Sequence, residues 1–227
     1  MEYTIRRAPS PLGEPTADGR RALWAAADQL AVTHFPWEDS GHRPGVRARV
    51  LWDEGWLGLL FEVDDRYVRA TAEKFNDSVC CDSCVEFFVA PSADPEQNAY
   101  FNFEVNCGGT ILLHRCASSA EKETGRKNEN VTDEDGATIR IAHTLPRIVD
   151  PEIAEATNWS VEYHVPWSLF ETYFGAVTPV ADATWRANFY KCADRTSHPH
   201  WGSWSPVDTP RPNFHQPDSF QLIHFAG

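Results

Sequence analysis

The stretch Tyr100-Phe101-Asn102-Phe103-Glu104-Val105-Asn106 puts Phe101, Phe103 and Val105 on one side of an extended chain and Asn102, Glu104 and Asn106 on the other. Successive strand side chains point to opposite faces, so this period of two predicts a half-buried β-strand. The pattern recurs upstream over Cys84 to Val89, where Val85, Phe87 and Val89 face the core while Cys84, Glu86 and Phe88 face away. Downstream, Trp159, Val161, Tyr163 and Val165 alternate with Ser160, Glu162 and His164; Trp185, Ala187 and Phe189 alternate with Arg186, Asn188 and Tyr190. Arg47 to Trp52 and Trp56 to Val63 are apolar runs joined by Asp53-Glu54-Gly55, a hairpin turn by composition. Shorter strands are expected over Tyr3 to Arg6, Val68 to Ala72, Thr110 to His114, Ala137 to Ala142 and Phe220 to Phe225.

Helical periodicity is rare. Pro166-Trp167-Ser168-Leu169-Phe170-Glu171-Thr172-Tyr173 reads as one short helix, with Pro suited to its first turn and Gly175 to its end. Cys116 to Gly136 has few apolar residues and reads as a long exposed loop. Many short strands with turn signals between them predict an all-β fold, an antiparallel two-sheet β-sandwich of jelly-roll type with that one helix. No internal repeat or linker divides the 227 residues, and nine Trp and thirteen Phe suffice for one large core, so a single domain over 1–227 is expected.

Twenty basic residues against 33 acidic ones give a net charge of −13, which repels phosphate backbones and anionic lipid surfaces and argues against nucleic acid and membrane partners. No run is long enough to span a bilayer, and the basic N-terminal residues lack the apolar region of a signal peptide. A cytoplasmic location follows as an expectation. The six cysteines, Cys80, Cys81, Cys84, Cys107, Cys116 and Cys192, are then expected as free thiols.

Three strands carry hydrogen-bonding side chains on the face away from the core: Glu86 on one, Asn102 and Glu104 on the next, Arg186, Asn188 and Tyr190 on the third. Each of these could be no more than a wet position on an amphipathic sheet. Together they offer the paired donors and acceptors that grip adjacent hydroxyls. A sugar also presents an apolar face of C–H groups, and Trp201 or Trp204, in a loop rich in Gly, Ser and Pro, could cover it.

Cys81-Asp82-Ser83-Cys84-Val85-Glu86-Phe87-Phe88 followed by Tyr100 to Asn106 resembles the central signature of the family 9 carbohydrate-binding modules, and more specifically the stand-alone bacterial family 9-like proteins. Asn158 to Glu162, Arg186 to Cys192 and Trp204 through Pro217 are similar to later parts of the same pattern. The resemblance implies a β-sandwich that binds a small saccharide without catalysis, with bound calcium in some members. It implies a sugar held between two Trp rings with help from Glu, Arg, Asn and Gln, and it places Glu86 at the pocket glutamate. Six residues before that glutamate the sugar-binding type has Trp and this chain has Cys80. Phe75 or Tyr67 could supply a ring instead.

Other chemistries are weaker. Glu86 and Glu104 on neighbouring strands could form the carboxylate pair of a glycoside hydrolase, and a degenerate pocket would leave a scaffold or interaction domain. Cys192, His198, His200 and His215 are metal-ligating types without a compact zinc spacing. Asp64, Asp65, Asp77 and Asp82 offer oxygen ligands but no regular calcium loop.

Overall fold

Apolar residues recurring at every second position need a second apolar surface to bury them, and here one sheet supplies both surfaces by folding over. The computed structural model describes residues 1–37, 40–175 and 181–227. These contain β1 (Glu2–Arg7), β2 (Gln29–Val32), β3 (Gly45–Trp52), β4 (Trp56–Asp65), β5 (Val68–Ala70), β6 (Cys84–Ala90), β7 (Tyr100–Asn106) and β8 (Ile111–Cys116). They continue with β9 (Glu129–Asn130), β10 (Arg140–His143), β11 (Val149–Ile153), β12 (Thr157–Pro166), β13 (Thr184–Cys192), β14 (Trp201–Ser203) and β15 (Gln221–Ala226). The α-helices are α1 (Ser119–Glu123), α2 (Asp133–Gly136) and α3 (Trp167–Phe174).

The main sheet runs β10-β12-β4-β3-β1-β15-β13-β6-β7-β8-β9, with β2 beside β3 and β14 beside β13; β5 and β11 pair separately. Strands distant in that order meet through their rings. Phe103 of β7 lies 6.2 Å from Tyr163 of β12, and Phe61 of β4 lies 6.2 Å from Phe189 of β13. The sheet therefore curls until its two arms face each other across one core, a sandwich-like arrangement. Phe87, Phe101, Phe103, Val161 and Phe189, all read as inward from the sequence, are fully buried in it.

Two expectations are corrected. The fold is mixed rather than purely antiparallel, because β1 runs parallel to both β3 and β15. Tight hairpins force antiparallel pairing, but β1 and β15 come from opposite ends of the chain, so no turn fixes their relative direction. There is also more than one helix. The segment after Cys116 was expected as a bare loop, yet Ser118 accepts from the backbone N–H of Glu121, whose carboxylate accepts from Ser118 N, a capping box that starts α1. Thr132 caps α2 by accepting from Asp135 N at 3.1 Å.

The expected helix is α3, entered from Pro166 and ended by Gly175, whose φ of 82° favours a residue without Cβ. Phe170 of α3 packs edge-on to Phe101 at 5.4 Å and so closes one end of the core. Trp167 donates its indole N–H to Asp53 O at 2.8 Å, which ties the helix to the β3–β4 turn.

What positions the site is a second layer on the outer face of β13, β6 and β7. The chain after β14 crosses that face and lays Phe214 on Tyr190, with rings 4.2 Å apart and 15° from parallel. Phe220 meets Tyr100 edge-on at 5.2 Å, and Phe88, Val207 and Trp37 complete a smaller apolar cluster. Asn188 fastens this crossing: its Oδ1 accepts from Ser205 N at 2.9 Å and its Nδ2 donates to Ser205 O at 3.1 Å. Outward polar residues that would otherwise meet water are thereby enclosed.

Candidate functional site

The crossing segment does not cover the outer face completely, and a cavity of about 190 Å³ remains at the ends of β6, β7 and β13. Its floor is built from residues on one side of the pleat: Glu86 and Phe88 on β6, Glu104 on β7 and Cys192 on β13. The antiparallel register sets Glu86 directly opposite Glu104 and also opposite Tyr190. Phe214 and Trp201 form aromatic walls, Cys80 contributes from the short 3-10 turn Val79–Cys81, and Asp194, Asn213 and His215 stand at the rim.

The electrostatics follow from burial. Glu86 is 2% exposed and Glu104 6%, so each carboxyl has lost most of its water. Burial pushes Glu104 up to about 7, against the opposing effect of Asn102, which donates from Nδ2 to Glu104 Oε1 at 2.8 Å. Glu86 is raised well above the carboxylate range by burial first and then by the charge of Glu104, although Cys192 donates its thiol to Glu86 Oε1 at 3.0 Å. Two opposed carboxyls in a dry setting hold on to protons because both cannot ionise cheaply.

A stability test follows from the raised Glu104. A carboxyl with a folded pKa above its unfolded value binds more protons in the native state between the two values, so its contribution falls as pH rises through that window. Glu104→Gln should therefore stabilise the fold by roughly 1 to 3 kcal/mol at pH 8 and lose that advantage near pH 5. Urea titrations of both proteins at the two pH values check it, and equal differences at both would show that Glu104 is not strained.

The sequence-selected residues have separated. Glu86, Glu104 and Trp201 line the cavity. Asn102 does not reach it: its Nδ2 holds Glu104 and its Oδ1 accepts from His114 N at 2.7 Å, so it positions the carboxyl. Tyr190 lies beneath Phe214 and donates its hydroxyl to Phe214 O at 3.2 Å, supporting the aromatic wall. Asn188 is taken up by Ser205, and Arg186 donates to Phe220 O at 2.9 Å; both anchor the crossing segment. Trp204 turns the other way, into the main core, edge-on to Phe189 at 5.7 Å, because Trp201 and Trp204 sit at opposite phases of their segment. Neither alternative ring is at the cavity: Tyr67 stacks on His198 at 3.5 Å, and Phe75 packs against the main core.

Asp194 was not selected from the sequence, yet its carboxylate accepts the Trp201 indole N–H at 2.7 Å and so fixes the ring. The signal was present. Asn188, Tyr190, Cys192 and Asp194 continue one period-two series past the end of β13.

The metal-ligating types do not assemble as a set. His200 Nε2 accepts from Lys191 Nζ at 2.9 Å inside the main core, His198 is under Tyr67, and His215 Nδ1 pairs with the Tyr100 hydroxyl at 2.8 Å. The four aspartates are likewise engaged apart: Asp64 with Arg47, Asp65 with Lys191 and His42, Asp77 with the backbone of Glu73 and Lys74, Asp82 with Thr71, Ala72 and Asn106. Calcium requires six to eight oxygen ligands, and these carboxylates do not provide such a shell. Among the described residues, the tight clusters of ligating type are His42, Asp65 and His200, and Cys84, Glu86 and Cys192, which are rich in nitrogen and sulfur instead. The six cysteines are free thiols in the structure. Burial pushes Cys84 up to about 12 and Cys116 up to about 11, so both stay protonated and inert.

A curled β-sheet whose outer face holds a small cavity of carboxyls and aromatic rings is the build of a small-ligand-binding module. The sequence profile of carbohydrate-binding family 9 matches residues 21–225, and the chain belongs to that family. Among solved structures, a Bacteroides uniformis protein provisionally described as carbohydrate-binding superposes with a TM-score of 0.85 at 26% identity, covering 99% of this chain and 98% of that one. A family 9 carbohydrate-binding module from Caldicellulosiruptor kristjanssonii, solved with cellotriose, superposes at 0.65 with 12% identity over 100% of this chain and 94% of that one. The same organism's module with glucose gives 0.64 and 13% over 100% and 96%. These two show the shared fold. No curated protein matches the chain.

Proposed function

We propose that the whole chain, 1–227, acts as one binding unit that holds a small saccharide in the Glu86–Glu104 cavity without transforming it. The observation that carries this reading is the meeting of buried carboxyls and an aromatic ring in one space: Glu86 and Glu104 on the floor, Trp201 on the wall. Hydroxyls of the sugar exchange hydrogen bonds with the carboxyls, and the indole covers the C–H face. The neighbours solved with glucose and cellotriose support the ligand class. A volume of about 190 Å³ suits one ring, well below the roughly 300–1,000 Å³ of a drug-sized site.

With one indole and no partner ring at Cys80, affinity should be modest, a Kd of about 10 μM to 1 mM or roughly −7 to −4 kcal/mol. Calorimetry over mono- and oligosaccharides measures it. Glu86→Ala should weaken binding by about 1 to 3 kcal/mol while sparing the fold, since it removes a carboxyl whose burial is unfavourable. Trp201→Ala should cost a similar amount through lost stacking, roughly 1 to 2 kcal/mol. If neither substitution changes binding, the sugar sits elsewhere. The opposed raised carboxyls are also what a general acid requires, so aryl glycosides belong in the same assay; turnover that vanishes in Glu86→Ala would make the cavity a hydrolase site. The reading of a reducing, cytoplasmic compartment is supported by the six unbridged thiols.

A further inference from the structure

We propose that this cavity prefers a saccharide carrying a primary ammonium group, an amino sugar, over the neutral or N-acylated form of the same sugar. The inference rests on the cavity being the saccharide site. Three carboxyls, Glu86, Glu104 and Asp194, reach the cavity, and among the described residues none that lines it is Lys or Arg. The buried cation that acts on Glu86 is Lys191, the strand neighbour of Cys192, but its side chain points to the main core. There Nζ donates to Cys192 O at 2.9 Å, meets His200 Nε2 at 2.9 Å and pairs with Asp65 at 3.4 Å. Its charge is therefore already balanced on the far side of the sheet.

A neutral hydroxyl leaves the opposed Glu86 and Glu104 carboxyls holding protons, whereas an ammonium placed between them compensates their charge and lets them ionise. It brings three N–H donors and a positive charge into a dry site, where charge-assisted hydrogen bonds are about twice as strong as neutral ones. The remaining walls fit the same ligand. Trp201, Phe88 and Phe214 line the cavity, and aromatic faces attract a cation as well as the C–H surface of a sugar ring. A bare divalent ion would also answer the negative charge, and Cys192 and His215 beside the carboxyls are ligating types, so the test below sets metal ions against the amine.

The selectivity should titrate. Glu104 is faced by Glu86 across the strand pair, by Asp194 at the rim, by Cys80, Cys84 and Cys192, by Tyr100 and Cys116 on its own side of the sheet, and by His215. Lys191 acts on Glu86 and Asp194 through the sheet, and the exposed Arg195 acts on Asp194 at the rim. Lowering the pH protonates the carboxyls while a sugar amine keeps its charge, so the ammonium form loses its partners.

The test is calorimetry at pH 7 with glucosamine, galactosamine and mannosamine, each beside its N-acetyl derivative and its parent hexose. At least one amine form should bind about tenfold or more tightly than both of its partners. That ratio should fall toward one at pH 5, at high salt, and in Glu104→Gln and Asp194→Asn measured at pH 7. Parent hexoses binding as tightly as the amines at pH 7 would overturn the ammonium preference and leave the saccharide site standing. A preference that persists unchanged in both variants would also overturn it, since the ammonium would then be recognised elsewhere. If no sugar of any form binds, the saccharide reading of the cavity falls as well. Displacement of glucosamine by calcium or zinc at lower concentration than the sugar, lost in the same variants, would reassign the carboxyls to a metal.

Discussion

Asp65→Asn should lower the free energy of unfolding by about 3 to 5 kcal/mol, because it leaves a fully buried ammonium without its counter-charge. Lys191 has no exposed surface, and its Nζ lies 3.4 Å from Asp65 Oδ2. Asp65 in turn accepts from the Trp159 indole at 3.2 Å and from Arg66 N at 2.8 Å, and pairs with His42 Nε2 at 2.7 Å. Asp65 ends β4, Trp159 belongs to β12 and Lys191 to β13, so this network links the two facing arms of the sheet close to the cavity. Burial alone would raise the Asp65 carboxyl, but Lys191 and then His42 hold it well below the carboxylate range.

The pH dependence has a definite sign. A carboxylate with a depressed folded pKa stabilises the fold above its unfolded value near 3.8, and that stability is lost as pH falls toward the folded value. His200 acts in the same direction over a higher window. Burial, then Lys191, lowers it to about 3, so from about 6.5 downward the unfolded chain takes up a proton that the native state refuses. Glu104 works in the opposite sense between about 4.5 and 7, which makes variants more informative than the native profile. Denaturant curves at pH 7, pH 4 and pH 2.5 should show the Asp65→Asn deficit nearly intact at pH 4 and shrinking below it, toward pH 2.5. The double variant with Lys191→Met should recover much of the loss at pH 7. A deficit under 1 kcal/mol at pH 7 would mean that Lys191 finds another partner or reaches water.

Phe189→Ala should cost a comparable 3 to 5 kcal/mol, since a large ring is removed from a fully enclosed position. Phe189 of β13 touches Phe87 of its own arm at 4.8 Å, Phe61 of the opposite arm at 6.2 Å, Tyr3 of β1 at 6.0 Å and Trp204 of the crossing segment at 5.7 Å. Its loss therefore opens a cavity where both arms, β1 and the crossing segment meet. Thermal unfolding should shift down by roughly 6 to 20 °C for a chain of this size. Phe189→Leu, which keeps most of the volume, should recover over half of that. An Ala variant within 3 °C of the native midpoint would show that the arms do not depend on this contact.

The strands were legible because side-chain period is a local property. Strict alternation over Tyr100 to Asn106 and Trp159 to Val165 decides which residues enter the core without reference to any partner strand, and the structure buries those residues. The hairpin at Asp53 to Gly55 was equally local: the Asp53 carboxylate accepts from Gly55 N and Trp56 N at 2.9 Å each. Helix α1 could have been read from Ser118 and Glu121 three residues apart, but its lack of apolar residues hid it. The direction of β1 was not legible, since its neighbours β3 and β15 lie elsewhere in the chain and pairing between distant segments leaves no local trace.

The sequence by itself therefore determined the β class, the inward residues and the identity of Glu86 and Glu104 as polar groups sharing one face. It could not show whether that face meets water. Tertiary structure decided this by laying Val207, Phe214 and Phe220 across β13, β6 and β7, which changes the dielectric around side chains whose positions in the strand are unchanged. Burial raises the two carboxyls, diverts Asn102 and Asn188 to holding neighbours, and separates Trp201 at the cavity from Trp204 in the core. The physical reason is that alternation fixes the direction of a side chain, whereas the cost of its charge depends on what covers it from far along the chain.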